Sequence, residues 1–99
     1  MIGLIMLMAA STGFDGNALY GQCRSRGVDQ IGCMSYIDGV ADGVTMMMPH
    51  SAICLPDGIT RGRLQDLVTA FLQGHPDRRK EAASLLVMQA LHEAYPCSN

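Results

Sequence analysis

Tryptophan is absent from these 99 residues, and two Phe and three Tyr are the whole aromatic complement. The core must therefore be built from Leu, Ile, Val, Met and Ala, without the large area that aromatic side chains bury. Charge is scarce too: 16% of residues are Asp, Glu, Lys or Arg, and the formal net charge is −2. That balance excludes the broad basic stripe with which proteins track nucleic acid, so no nucleic-acid partner is expected. The cations fall in three small groups, Arg24/Arg26, Arg61/Arg63 and Arg78/Arg79/Lys80, with no aromatic interleaved within a group. They read as solvated charges on a loop and at two helix starts. None of the cysteine spacings is C-x-x-C, which removes a zinc ribbon or a thioredoxin-like site. There is neither an alternating strand pattern nor an internal repeat. The longest apolar run, residues 1–10, falls well short of the roughly 20 residues that cross a bilayer as a helix, so the mature chain is expected to have no membrane span.

What is present is enough for one folded domain. Apolar residues make up 48% of the chain, too many for a disordered tail, and the length is too small for two independent cores. The four cysteines at 23, 33, 54 and 97 are an even count in a short chain, which suggests two disulfides and an oxidising compartment. Residues 1–10 form an uncharged apolar run ending in Ala9-Ala10, with Ser11-Thr12-Gly13 beyond. This is the make-up of the later part of a signal peptide and its cleavage zone. Residues 1–13 are therefore expected to be a signal-peptide remnant, and 14–99 a single helical domain of a secreted protein.

The apolar spacing predicts an all-α bundle of about four helices. Asp15 or Asn17 can cap a short first helix in which Leu19, Tyr20 and Cys23 share a face. Residues 24–29 include Gly27 and read as a loop. A second helix is expected over residues 30–47, with Cys33, Ile37, Val40, Ala41 and Val44 inward. Gly39 and Gly43, one turn apart, are expected to form a flat strip where another helix packs closely. Pro56-Asp57-Gly58 is a turn in which Pro sets φ and Gly accepts a positive one. Thr60 caps a third helix with a stripe of Leu64, Leu67, Val68, Phe71 and Leu72. Gly74 closes it, and Pro76 stands where the first residue of a fourth helix belongs. That helix should bury Ala83, Leu86, Val87, Ala90, Leu91 and Ala94 and stop at Pro96.

The layout also predicts the cysteine pairing. Helices three and four, joined by a tight Gly-His-Pro turn, should lie antiparallel, bringing Cys54 beside Cys97. Cys23 ends the first helix and Cys33 opens the second across a short loop. Cys23–Cys33 and Cys54–Cys97 are thus the expected bridges, and on the chain-entropy account they contribute roughly 3 and roughly 4 kcal/mol. No catalytic set is visible. Asp38 and Asp42 are one turn apart, but no His or Lys stands near them to complete acid–base chemistry. His50, His75 and His92 are scattered, and His92-Glu93 lacks the second histidine of a zincin. The protein is not expected to be an enzyme, and neither a cofactor nor a metal is called for. Met46-Met47-Met48-Pro49-His50 is the oddest local feature. Three consecutive methionines cannot all point inward, and adaptable thioethers suit protein contacts. Met46, Met47, Met48 and His50 are therefore the candidate partner-binding residues.

Three segments carry a resemblance: Gly16-Asn17-Ala18-Leu19 with Cys23; Cys33 through Tyr36-Ile37-Asp38-Gly39; and the stretch from Cys54-Leu55-Pro56-Asp57-Gly58 through His75-Pro76 to Tyr95-Pro96-Cys97. In this order they resemble the Rap/Tai family of type VI secretion immunity proteins, over nearly all of residues 14–97. The resemblance implies a small helical periplasmic protein, often a homodimer, that binds a peptidoglycan amidase toxin and blocks it by occlusion. Two other readings of the residues stand beside it. One is a small periplasmic stress or holdase chaperone using exposed Met and Leu, and the other a copper-binding protein using the Met-rich turn.

Overall fold

The computed structural model describes residues 13–47 and 53–97; residues 1–12 of the expected signal-peptide remnant lie outside it. Four α-helices make up the fold: α1 (Gly16–Arg24), α2 (Val28–Met47), α3 (Arg61–Gly74) and α4 (Ala83–Ala94), with a short 3-10 helix, Pro76–Arg78, between α3 and α4. Each α-helix packs against the other three. The centre holds Leu19 of α1, Cys33 and Ile37 of α2, Val68 and Leu72 of α3, and Leu86, Val87 and Leu91 of α4, all essentially removed from solvent. Each such aliphatic contributes about 1.5–3 kcal/mol relative to an exposed position. The expected inward residues are buried, except that Tyr20, Val40, Leu67 and Ala94 sit half-buried at the edge. The fold is the predicted all-α bundle with two disulfides.

Local chemistry sets the ends of the first three helices. The Asp15 carboxylate accepts from the Ala18 N–H at 2.9 Å, and the Thr60 hydroxyl accepts from the Arg63 N–H at 3.1 Å, each satisfying a first-turn donor that the helix itself leaves unpaired. Gly27 and Gly58 take φ of +72° and +79°, the left-handed region that glycine enters without steric cost. The first lets α2 begin directly after it, two residues earlier than expected. The second closes the turn in which the Ile59 N–H donates to the Pro56 carbonyl at 3.3 Å.

The start of the fourth helix differs from expectation. Pro76 opens only the 3-10 helix, and α4 begins at Ala83. The intervening backbone is engaged elsewhere: the Gly16 N–H donates to the Glu81 carbonyl at 3.0 Å, the Asn17 N–H to the Arg79 carbonyl at 2.8 Å, and the Ala83 N–H to the Phe14 carbonyl at 3.2 Å. Residues 79–83 thus cap the first turn of α1, and carbonyls turned toward α1 cannot also continue a helix of their own.

The glycines of α2 also correct the sequence reading. A β-carbon added at Gly39 or Gly43 would meet no neighbouring atom within 4 Å among the described residues, so no helix packs closely there. The close approach is at Gly16, where a β-carbon would lie 2.5 Å from Leu86 Cδ1 and 2.9 Å from both the Cα and the carbonyl oxygen of Arg79. The backbone pairing of residues 15–17 with 79–83 leaves no room for a side chain.

Both predicted bridges are formed. Cys23–Cys33 and Cys54–Cys97 each join α-carbons 5.0 Å apart. The first clamps α1 to α2. The second ties the approach to α3 to the residues after α4, where the Cys54 N–H donates to the Tyr95 carbonyl at 2.8 Å and Ile53 bridges Pro96.

Candidate partner-binding surface

With 20 residues, α2 is the longest helix described, about 30 Å from end to end at 1.5 Å per residue. Its inner side is fixed by Cys33, Ile37, Ala41 and Val44, all buried. Steps of three and four residues place Val28, Ile31, Ser35, Gly39, Asp42 and Met46 on the opposite side, and all six are exposed. Three of them are large and apolar: Val28 is 83% exposed, Ile31 63% and Met46 78%. Val28 and Ile31 adjoin near the start of the face, and Met46 stands about 22 Å further along the helix, with Ser35, Gly39 and Asp42 between them. Exposed apolars aligned on one helix face suit a contact surface. Gly39, without a side chain, leaves the middle of the face flat.

Charge borders this face. Asp38, on its flank, is paired with Arg61 Nε of α3 at 3.0 Å. An aspartate held by an arginine links two helices and is a poor candidate for a proton-transfer pair with Asp42. No group of three or more His, Cys, Asp or Glu able to hold a metal ion occurs among the described residues. His75 is occupied within its own turn: its Nδ1 donates to the Phe71 carbonyl at 2.7 Å, and its ring stacks on Phe71 with centroids 4.2 Å apart. No described helix is long and apolar enough to cross a membrane.

Of the partner-binding residues expected from sequence, Met46 stands on this face near the end of α2, and Met47 is the last residue of the helix. Met48 and His50 lie outside the described residues. Sequence reasoning missed Val28 and Ile31. Val28 was absorbed into the expected loop, and Ile31 falls out of phase with the inward stripe. An apolar residue at helical spacing but off the buried face is the signal that could have found both.

The family model described as Rap1a immunity proteins matches residues 15–97. No curated protein matches the chain, and no solved structure does.

Proposed function

The chain belongs to the Rap1a immunity protein family, and from that premise we propose that it protects the periplasm by binding a type VI peptidoglycan amidase and covering its catalytic cleft. Membership alone makes the protein a non-catalytic neutraliser of a type VI effector toxin, which it binds. Two disulfides and no free cysteine among the described residues point, with the family, to an extracytoplasmic location. The periplasm, the amidase and a homodimer are finer parts of the proposal carried over from the resemblance in the sequence, and the export role of residues 1–13 is proposed from their apolar make-up.

The observation that carries the mode of action is the exposed outer face of α2, apolar at Val28 and Ile31 and again at Met46. Rigidly held aliphatic side chains on a helix face suit a groove on a partner, and they displace water from it without ordering new chain. Met46-Met47-Met48-Pro49-His50, which begins on that face, is proposed to adapt the contact to one particular toxin. Size limits the claim for α2 by itself. A helix about 30 Å long and 10 Å wide covers roughly 300 Å², against about 800 Å² per partner in a standard interface. Neighbouring surface must contribute.

The test is co-expression with a periplasmically targeted candidate amidase. The wild-type chain restores growth and co-elutes with the amidase, whereas Ile31→Asp/Met46→Asp loses both while keeping its melting temperature, because neither side chain supports the core. Equal protection by that variant would remove α2 from the contact. Light scattering of the purified chain reads the dimer.

A further inference from the structure

The described cations divide into two kinds. Arg61 is matched by Asp38 and Arg78 by Glu81, while the other five have no carboxylate within ion-pair distance among the described residues, Arg24 and Arg79 among them. These two are nevertheless held in place, because both sit on one ring. The guanidinium carbon of Arg79 lies 4.3 Å from the centroid of Tyr20, and that of Arg24 lies 5.2 Å from it, inside the range of a cation–π contact. The two charges are therefore closer than about 10 Å, the screening length at 0.1 M salt.

Tyr20 and Arg79 are held by further contacts, and Arg24 is carried by the helix of Tyr20. Tyr20 packs against the core. Arg24, four residues later on α1, shares its face. The Arg79 backbone is fixed beside the first turn of α1 by the Asn17 N–H at 2.8 Å, and its Nη1 reaches the Leu72 carbonyl at 3.4 Å. Its Nε is buried and has no acceptor. Nine acidic residues against seven Lys and Arg leave carboxylates to spare, yet among the described residues none pairs with Arg24 or Arg79. The exposed Arg24 guanidinium and the remaining Nη edge of Arg79, both against Tyr20, can donate to carboxylates, and Tyr and Arg are the residue types that dominate binding hot spots.

We propose that Tyr20, Arg24 and Arg79 form a second docking site that takes an acidic segment of the cognate toxin, with carboxylates bridging the two guanidinium groups. The proposal rests on the reading that the partner is a protein toxin, and it supplies interface that α2 alone lacks.

The probe is a capped hexaglutamate peptide, titrated at low salt into the full oxidised chain labelled with ¹⁵N, with capped hexaglutamine as control. Saturable amide shifts are expected around Tyr20, Arg24 and Arg79, weakening as salt is raised and absent with hexaglutamine. Arg24→Gln, whose site is exposed and outside the core, should bind about two- to fivefold more weakly, and Arg24→Glu should not bind. Arg79→Gln could disturb the turn, so the Arg24 variants decide. Shifts centred on Arg61, Arg63 or Lys80, an equal response to hexaglutamine, or no saturable response would overturn the site. In the growth assay, protection by the wild type but not by Arg24→Glu supports it, and equal protection by both overturns its use against that toxin. Peptide binding at the site without protection by the wild type would instead sink the amidase reading and leave the site standing.

Discussion

Replacing Gly16 with alanine should destabilise the fold, against the usual direction for a helical glycine. Alanine in a helix interior is favoured over glycine by roughly 0.5–1 kcal/mol. At Gly16 the new methyl would fall 2.5 Å from Leu86 Cδ1, a contact a rotamer change could relieve, and 2.9 Å from the Cα and carbonyl oxygen of Arg79, which only backbone movement could relieve. The same backbone carries the hydrogen bonds from Gly16 to Glu81 and from Asn17 to Arg79. Overpacking of this kind costs about 1–3 kcal/mol, so a mid-range net loss of about 1 kcal/mol follows once the helix preference is subtracted. For a domain of this size that lowers Tm by about 4–8 °C. Gly21 is the internal control: it lies on the same helix, with open space where its β-carbon would go. Gly21→Ala should raise stability by about 0.5–1 kcal/mol. Thermal and urea unfolding of the oxidised proteins, followed by circular dichroism at 222 nm, reads both. If Gly16→Ala matched or exceeded the wild type, the tight pairing of residues 15–17 with 79–83 would be wrong.

Further expectations concern the cross-links and the charge pair. Converting Cys54 and Cys97 together to Ser should cost roughly 4 kcal/mol and converting Cys23 and Cys33 roughly 3, since the first pair closes the longer loop; denaturant titration should rank them in that order. The Glu81 carboxyl is held below its ordinary range first by its hydrogen bond from Arg78 and also by the charges of Arg78 and Lys80. Its stabilising effect is therefore full above the ordinary carboxylate range and fades as pH falls through the lowered value. Glu81→Gln should melt below the wild type at neutral pH, and the two curves should converge in acid. The gap will be small, because the paired side chains are 28% and 34% exposed.

How much could be seen in the sequence follows from how far each cause reaches. The caps at Asp15 and Thr60, the turn at Gly58 and the buried stripes depend on residues within a few positions of one another, and all were legible. The two bridges were legible because they follow from helix order. The start of α4 was not, because Pro76 is a sound local signal that is overridden by hydrogen bonds to a segment about sixty residues earlier. The spacing of Gly39 and Gly43 identified a narrow helix face but could not say whether anything covers it. The cluster on Tyr20 escaped notice for a similar reason: Arg79 reaches that ring from another part of the chain, and its neighbours in sequence give no hint of it.

The Cys54–Cys97 bond has one more implication. It closes α3, the 3-10 helix and α4 into a covalent ring, within which Pro76 and Asp77 are exposed at the bend. A hydrolase that severed the peptide chain at that bend would free no fragment, since sulfur still spans the wound and the interlocked Leu72, Leu86 and Leu91 hold the halves in register. Outside the cytoplasm, among proteolytic enzymes, such a ring lets a nicked molecule keep its shape.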